Sequence, residues 1–163
     1  MTKTVVKKTP RKILESAFPT KEIWEVSLPV SGVIWFKMGE KIPVGNSNDR
    51  TIGEYALIAG AHDWASNSKY TWSLSKDGKA FLDSHCDAKK QSTVSVLRNL
   101  IGLYISSMEI NKKCVIFHLS NDIDFVVDAV MPDSDREIDF SFHFEQHGMT
   151  PIRYNSSGFY FYN

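Results

Sequence analysis

The stretch VIFHLSNDIDFVVDA, residues 115–129, decides the fold class because two short runs rich in β-branched and aromatic residues flank a short polar turn. Such runs are typical of β-strands. The turn at residues 120–122 is short enough to join antiparallel strands. The sequence therefore predicts a hairpin between residues 115–119 and 123–129.

Similar patterns extend the sheet in both directions along the chain. Residues 138–145 alternate apolar with polar side chains, which predicts a half-buried strand, and a further strand is predicted over residues 51–59. The Asp-Gly pair at residues 77–78 is typical of a tight turn between strands at 70–75 and 80–83. Because hairpins join most of the strands, we expect a largely antiparallel sheet of about eight strands.

One helix is predicted over residues 88–101. Leu97 and Ile101 recur with the helical period, so we expect them to be buried against the sheet. Asp87 is the predicted N-cap, and Gly102 is the predicted left-handed residue after the helix. This is the main helix of the predicted fold.

A shorter helix is predicted near the N-terminus, over residues 11–18. Thr9 can cap it, Pro10 suits the first helical position, and Pro19 ends it. Together these elements predict an α+β fold with a mainly antiparallel sheet of about eight strands. One main helix packs on that sheet, and a short helix precedes it.

Length and composition are typical of one ordinary globular domain. With 163 residues, 42% of them hydrophobic and 23% charged, we expect a single α+β domain over residues 1–163, with residues 1–8 as a frayed arm. The sequence contains no run of about 18 apolar residues, so it does not predict a membrane-spanning helix. Residues 1–11 are not followed by the apolar run of a secretory signal, and Cys86 and Cys114 are too few for a disulfide scaffold. We therefore expect a cytoplasmic protein.

The charge is unevenly distributed along the chain although the net charge is zero. Residues 1–50 carry nine Lys or Arg and five Asp or Glu, whereas residues 120–163 carry two and eight. Most of these carboxylates fall on the second strand of the predicted hairpin, the loop that follows it and the next strand, which we expect to form one local patch. They are Asp122, Asp124, Asp128, Asp133, Asp135, Glu137 and Asp139.

Three interpretations of this carboxylate group are open. It can be a solvated sheet face that maintains solubility and keeps strand edges unpaired. It can be a docking surface for a basic partner, since complementary fields raise association rates and exclude wrong partners. It can hold a divalent cation, although no calcium-loop pattern with its Gly and terminal Glu is present. Our working hypothesis assigns all of these residues to partner binding.

Two groups of potential ligands or nucleophiles do not predict catalysis or metal binding. His143 and His147 are expected on a strand, where four residues span about 13 Å, too far for one metal ion, so we expect both to be solvated. His85, Cys86 and Asp87 are adjacent along the chain and therefore do not face one another as a catalytic group must. No nucleotide-binding or hydrolase motif is present. We expect no enzymatic activity, no metal and no cofactor.

The order of segments between residues 51 and 130 resembles a class of small bacterial proteins. A GEYAL strand at residues 53–57 and the KDGK turn at 76–79 are followed by the amphipathic helix and by FHLSNDIDFVV at 117–127. This order is similar to that of α+β immunity proteins of polymorphic toxin and contact-dependent growth inhibition systems. The resemblance implies a cytoplasmic protein that binds and blocks a cognate toxin, usually a nuclease, whose basic cleft suits an acidic surface.

We therefore expect an immunity-type protein that neutralises a cognate toxin by stoichiometric binding, without a membrane or nucleic acid as partner. The neutral chain and its acidic C-terminal third argue against a nucleic-acid binder. The alternative function is that of a structural or adaptor domain that self-associates or joins a larger assembly. Its contact would be the aromatic stretch at residues 159–162.

Overall fold

The computed structural model describes residues 8–30, 32–45, 51–60, 72–128 and 140–163. These residues form two short α-helices, a 3₁₀ turn and eleven β-strands. The helices are α1 (Pro10–Ala17) and α2 (Gln91–Asn99), and the 3₁₀ turn is Phe18–Thr20. The strands are β1 (Ile23–Ser27), β2 (Ile34–Pro43), β3 (Thr51–Ala59), β4 (Trp72–Lys76), β5 (Lys79–Asp83), β6 (Ile105–Ile110), β7 (Cys114–Leu119), β8 (Ile123–Asp128), β9 (Phe142–Gln146), β10 (Ile152–Asn155) and β11 (Gly158–Phe161).

The strands form two antiparallel sheets. β1, β2, β3, β9, β10 and β11 lie side by side in that order in a six-stranded sheet, and β5, β4, β8, β7 and β6 form a five-stranded sheet. Each of these strand pairs is antiparallel. The prediction of a mainly antiparallel α+β fold is confirmed. The prediction of one sheet of about eight strands is wrong, because the described residues contain eleven strands in two sheets.

The hairpin predicted from residues 115–129 is present as β7 and β8. His118 lies opposite Asp124 across this hairpin. The second predicted hairpin is formed by β4 and β5, and both residues of its turn have positive φ, 53° at Asp77 and 77° at Gly78. A type I′ turn requires this conformation, which Asp and Gly adopt more readily than most residues.

Aromatic side chains fill the space between the two sheets. Phe36 of the six-stranded sheet lies 4.9 Å from Phe125 of the five-stranded sheet, and Phe142 lies 5.3 Å from Phe117, measured between ring centroids. These four side chains are at most 1% exposed. Edge-to-face contacts of this kind contribute about 0.5–1.5 kcal/mol each beyond the burial of apolar area. The sheets therefore pack face to face around a shared core.

α1 and the 3₁₀ turn add to this core. Thr9 caps the helix by accepting a backbone hydrogen bond at 3.3 Å, and Pro10 occupies the first turn, as predicted. Phe18 lies 5.7 Å from Phe117 and 5.2 Å from Phe144 between ring centroids, so it contacts aromatic side chains of both sheets. The N-terminal helix is therefore anchored by a residue that both sheets bury.

α2 is shorter than the helix predicted over residues 88–101. Its N-cap position has no side-chain hydrogen bond, and Asp87 instead accepts one from the backbone N–H of Lys89 at 3.0 Å. The predicted cap is wrong because this carboxylate stabilises a turn that precedes the helix. Ile101 was predicted to be buried but is 50% exposed, beyond the end of the helix at Asn99. With eight residues in α1 and nine in α2, neither is the one main helix of the prediction.

The C-terminal half of α2 agrees better with the prediction. Leu97 is buried, and Gly102 has a φ of 92°, as expected of the residue after a helix. α2 contacts β1 of the six-stranded sheet. Neither of the described helices is long and apolar enough to cross a membrane.

The strand predicted over residues 138–145 is present in part, as β9 (Phe142–Gln146), and residues 138 and 139 lie outside the described residues. It is not the half-buried strand of the prediction, because residues 142–144 are all buried, and it does not lie beside β8. β8 pairs with β4 and β7, whereas β9 pairs with β3 and β10. The chain therefore passes from one sheet to the other between them, and the expectation that these two strands form one hairpin is wrong. Whether the predicted carboxylates form one patch stays a prediction, because four of the seven lie outside the described residues. β10 has no counterpart in the prediction. Alternation identifies a strand, but it does not identify the strand's neighbours.

Candidate functional site

The outer face of the five-stranded sheet is acidic. Ile123, Phe125 and Val127 of β8 are buried in the core. Because side chains of a strand alternate between its two faces, Asp124 and Asp128 point away from the core. Their predicted position on one face of this strand is confirmed.

Two further carboxylates share this face. Asp83 of β5 pairs with Ser73 of β4, which pairs in turn with Val126 of β8, an outward-facing residue. Glu109 of β6 pairs with Ile116, an outward-facing residue of β7. Cross-strand partners lie on the same face of a sheet. We call the surface formed by these four residues the acidic face: Asp83, Glu109, Asp124 and Asp128.

Within the described ranges, no Lys or Arg occupies an outward-facing strand position of this sheet. Lys76 and Lys79 pair with each other at the ends of β4 and β5, and Lys76 also pairs with inward-facing Ile123. Lys112 and Lys113 lie in the turn between β6 and β7. Among the described residues, lysines therefore border the acidic face only at the strand ends.

His118 lies at the centre of the acidic face. Its Nδ1 is 2.6 Å from Oδ1 of Asp124, and its Nε2 is 3.2 Å from Oε2 of Glu109. Burial opposes protonation of the ring, but the hydrogen bonds with Asp124 and Glu109 outweigh burial, so the pKa of His118 is raised. The ring of His118 therefore links β6, β7 and β8 through two carboxylates.

The geometry around His118 does not form a metal site. Its two ring nitrogens point in different directions, so the carboxylates that they contact cannot converge with the ring on one ion. Among the described residues, no three His, Cys, Asp or Glu side chains are grouped as metal ligands. The arrangement is a cluster of fixed charges that ties three strands together.

The predicted carboxylate group is only partly covered by the structure. Asp122 is exposed in the turn between β7 and β8, beside the acidic face. Four of the predicted residues lie outside the described residues: Asp133, Asp135, Glu137 and Asp139. Sequence reasoning missed Asp83 and Glu109, because their place on this face depends on the order of the strands. Their only signal in the sequence is a polar residue within a strand.

The outer face of the six-stranded sheet carries charges of both signs. Its register places Lys37 opposite Glu25, and Nζ of Lys37 lies 2.5 Å from Oε2 of Glu25. The same ammonium group lies 5.5 Å from the ring centroid of Trp24 and 5.4 Å from that of Trp35. Cation–π contacts favour the charged ammonium at this position. The charge of Lys37 is therefore compensated within the sheet.

A second group on this face is centred on His143, which was predicted to be solvated but is only 7% exposed. Arg153, its register partner on β10, donates from Nε to Nδ1 of His143 at 2.9 Å, and Nε2 lies 2.9 Å from Oε1 of Glu145. An accepting Nδ1 requires the proton on Nε2, which donates to Glu145. This hydrogen bond, with the charge of Arg153, lowers the pKa of Glu145 although burial opposes the shift.

The guanidinium of Arg153 lies against two aromatic rings. Its Cζ is 4.3 Å from the ring centroid of Phe140 and 3.4 Å from that of Tyr162. Stacking and the hydrogen bond to His143 together fix the orientation of this planar group. We call the surface formed by these mutually compensated charges the paired face: Glu25, Lys37, His143, Glu145 and Arg153.

The remaining sequence candidates do not join either face. His147 is exposed in the turn after β9, apart from buried His143. His85 donates its backbone N–H to the carboxylate of Asp83 at 2.8 Å. Burial, and then the charge of Asp83, raise the pKa of Cys86, so its thiol stays protonated near neutral pH.

The chain matches no protein-family model, no curated protein and no solved structure. Its fold and surface define a two-sheet antiparallel α+β protein with one acidic outer face and one outer face of compensated charges. The functional argument therefore rests on these two surfaces.

Proposed function

We propose that this chain is an immunity-type protein that neutralises a cognate protein toxin by stoichiometric binding, and that the acidic face contacts the toxin. The observation that carries the proposal is the set of four carboxylates on one sheet face without an intervening Lys or Arg at the outward strand positions of the described residues. Carboxylates concentrated in this way repel one another unless solvent or a basic partner compensates them. A basic protein surface would supply that compensation.

The partner that this surface favours is a protein with a basic cleft, such as the nucleic-acid-binding cleft of a nuclease. Nucleic acid itself is negatively charged, and the acidic face would repel it. Ile116 and Val126 lie among the carboxylates and are partly exposed, so the face also offers apolar contact area. Basic side chains of the cleft would pair with Glu109 and Asp128 around this apolar centre.

Binding rather than catalysis is supported by the state of the titratable side chains. Both ring nitrogens of His118 and of His143 are engaged in hydrogen bonds. The raised pKa of Cys86 disfavours its thiolate. A general base needs an available lone pair, and a cysteine nucleophile needs the thiolate. We therefore propose that the chain acts without enzymatic activity and without a cofactor.

The test begins with a pull-down from the native cell to identify the partner. Surface plasmon resonance then compares the wild type with the double variant Glu109→Lys/Asp128→Lys at low and high salt. Asp124 is left unchanged because it makes the shorter contact with His118, 2.6 Å, whereas the contact of Glu109 is 3.2 Å and its side chain is 61% exposed. We expect the association rate at low salt to fall by about tenfold or more, with a weaker salt dependence, while the variant stays folded with a melting temperature lowered by the lost Glu109–His118 contact.

The matched control is the double variant Glu15→Lys/Glu40→Lys, which makes the same change of net charge at two exposed carboxylates on α1 and β2. We expect this control to bind like the wild type. Equal losses in both double variants would mean that net charge matters and the acidic face does not. Unchanged binding by a folded Glu109→Lys/Asp128→Lys variant would remove the acidic face from the interface.

A further inference from the structure

The ring of His118 is held between two carboxylates that belong to different strands. Asp124 of β8 contacts Nδ1 at 2.6 Å, and Glu109 of β6 contacts Nε2 at 3.2 Å. An ionised carboxylate accepts hydrogen bonds and cannot donate them. Both contacts are therefore hydrogen bonds only while each ring nitrogen carries a proton, which is the charged form of the ring.

A neutral imidazole ring can satisfy only one of these two carboxylates. It has one N–H donor, and its other nitrogen carries a lone pair. The lone pair would face a carboxylate oxygen without a proton between them, so this contact becomes repulsive. Loss of one proton from His118 therefore breaks one of the two contacts.

The contact with Glu109 is the weaker of the two. It is the longer contact, and the side chain of Glu109 is 61% exposed, whereas that of Asp124 is 37% exposed. Glu109 lies on β6, the outer strand of the sheet, and Asp124 lies on the central strand β8. Ion pairs that are exposed to water contribute little. We therefore expect the neutral ring to keep its proton on Nδ1, and the carboxylate of Glu109 to turn towards solvent.

Among the described residues, these two carboxylates are the charged groups that act on the ring. Burial lowers the pKa of His118, but Asp124 and Glu109 outweigh burial and raise it. The residue opposite His118 on β6 is Ser107, which is uncharged. Asp122 is exposed in the turn before β8 and does not contact the ring nitrogens. The proton of His118 is therefore linked to the positions of two carboxylates.

His143 on the paired face differs from His118 in this respect. Arg153 donates to its Nδ1, and its Nε2 contacts Glu145. Because one nitrogen accepts and the other donates, the neutral ring of His143 satisfies both contacts. His143 therefore needs one proton, whereas His118 needs two.

We propose that His118 is a proton-dependent switch of the acidic face: the charged ring holds Glu109 against the sheet, and the neutral ring releases Glu109 for contact with a basic partner. Loss of the proton also adds one negative charge to the face. Complementary charge raises association rates, so a basic partner binds faster when the ring is neutral. This last step rests on the proposed function, whereas the release of Glu109 is a property of the free chain.

Nitrogen NMR of the free protein tests the switch without a partner, because the shifts of the ring nitrogens show which of them carries a proton. We expect both nitrogens of His118 to be protonated at low pH, and Nδ1 alone at high pH. The ring of His143 is an internal reference that should carry its proton on Nε2. A ring of His118 that is neutral at every pH, or that keeps its proton on Nε2 at high pH, overturns the proposal.

Two variants of the free protein test whether Glu109 is the carboxylate that the ring releases. We expect Glu109→Gln to shift the pKa of His118 downwards, because the ring loses one of its two negative partners. Asp122→Asn is the matched control, since it removes an exposed carboxylate that does not contact the ring. We expect this control to leave the pKa close to that of the wild type. Equal shifts in both variants would show that the contact with Glu109 has no special role, which contradicts the proposal.

The partner captured by pull-down tests the consequence for binding. Surface plasmon resonance at low salt compares the wild type with His118→Gln and with His147→Gln, which replaces an exposed histidine. All three meet the same partner, so titration of the partner does not distinguish them. As the pH rises through the pKa of His118, we expect the association rate of the wild type and of His147→Gln to increase by about twofold or more relative to His118→Gln.

The outcomes separate this inference from the proposed function. Equal pH profiles for the wild type and His118→Gln overturn the switch as a control of binding. If Glu109→Lys/Asp128→Lys binds the partner as the wild type does, the proposed function fails instead, and the NMR measurements on the free chain still decide whether the ring releases Glu109.

Discussion

In both sheets of this protein, side chains alternate between the core face and the outer face. The two outer faces nevertheless differ in how charge is compensated. On the paired face, acidic and basic side chains lie within hydrogen-bonding distance of each other, as Lys37 and Glu25 do. On the acidic face, Asp124 and Glu109 share the single ring of His118. No Lys or Arg takes an outward strand position there within the described ranges.

This difference underlies our proposal that the paired face is complete within one chain and that a partner completes the acidic face. Charges that already have opposite partners gain little from a new ligand and lose the existing contact when one binds. Charges of one sign gain from a partner of the opposite sign. A net charge of zero for the whole chain does not reveal this difference, which depends on how the strands are arranged.

Removing one partner from the paired face is expected to have the largest effect on stability. Arg153→Leu deprives Nδ1 of buried His143 of its donor, and an unsatisfied buried acceptor costs about 1–3 kcal/mol. We expect the free energy of unfolding, measured by urea denaturation, to fall by about that amount. Arg98→Leu, on an exposed position of α2, is the control and should change it by less than about 0.5 kcal/mol. Equal losses would mean that Arg153 contributes no more than a surface charge.

The acidic face is expected to show a smaller effect that depends on pH. Because the pKa of His118 is raised in the folded chain, its stabilising contribution is complete below the ordinary histidine pKa of about 6.5. That contribution is lost as the pH rises through the raised value. We expect the melting temperature of the wild type to fall as the pH is raised above about 6.5, and that of His118→Gln to fall less.

The control for this pH dependence is His147→Gln, which replaces an exposed histidine in the turn after β9. It should keep the pH dependence of the wild type. Identical pH profiles for His118→Gln and the wild type would mean that the contacts of His118 with Asp124 and Glu109 do not stabilise the fold.

Alternation and turn chemistry were sufficient to predict much of the local structure. β3 spans residues 51–59 as predicted, and the turn at residues 77–78 has the predicted conformation. The outward position of Asp124 and Asp128 also follows from alternation alone, as observed. These features depend on residues that are close in sequence, so a short stretch of sequence is enough to predict them.

The neighbours of each strand could not be predicted in the same way. Asp83 and Glu109 join Asp124 because β5, β4, β8, β7 and β6 lie in that order, which no local pattern indicates. His143 is buried rather than solvated because Arg153 covers it, and Arg153 lies on β10, a strand that the sequence reasoning missed. The face of the sheet to which a side chain points depends on its position within one strand, which is a local property. Which charged residues share a face depends instead on contacts between distant segments of the chain.

The central claim is that the acidic face, and not the paired face, contacts the partner. Carbodiimide-promoted labelling of carboxylates, read by mass spectrometry with and without the partner captured by pull-down, tests this claim most directly. We predict that labelling of Glu109 and Asp128 falls on complex formation, while labelling of Glu25 and Glu145 stays the same. Protection of Glu25 and Glu145 with unchanged labelling of Glu109 and Asp128 would contradict the account.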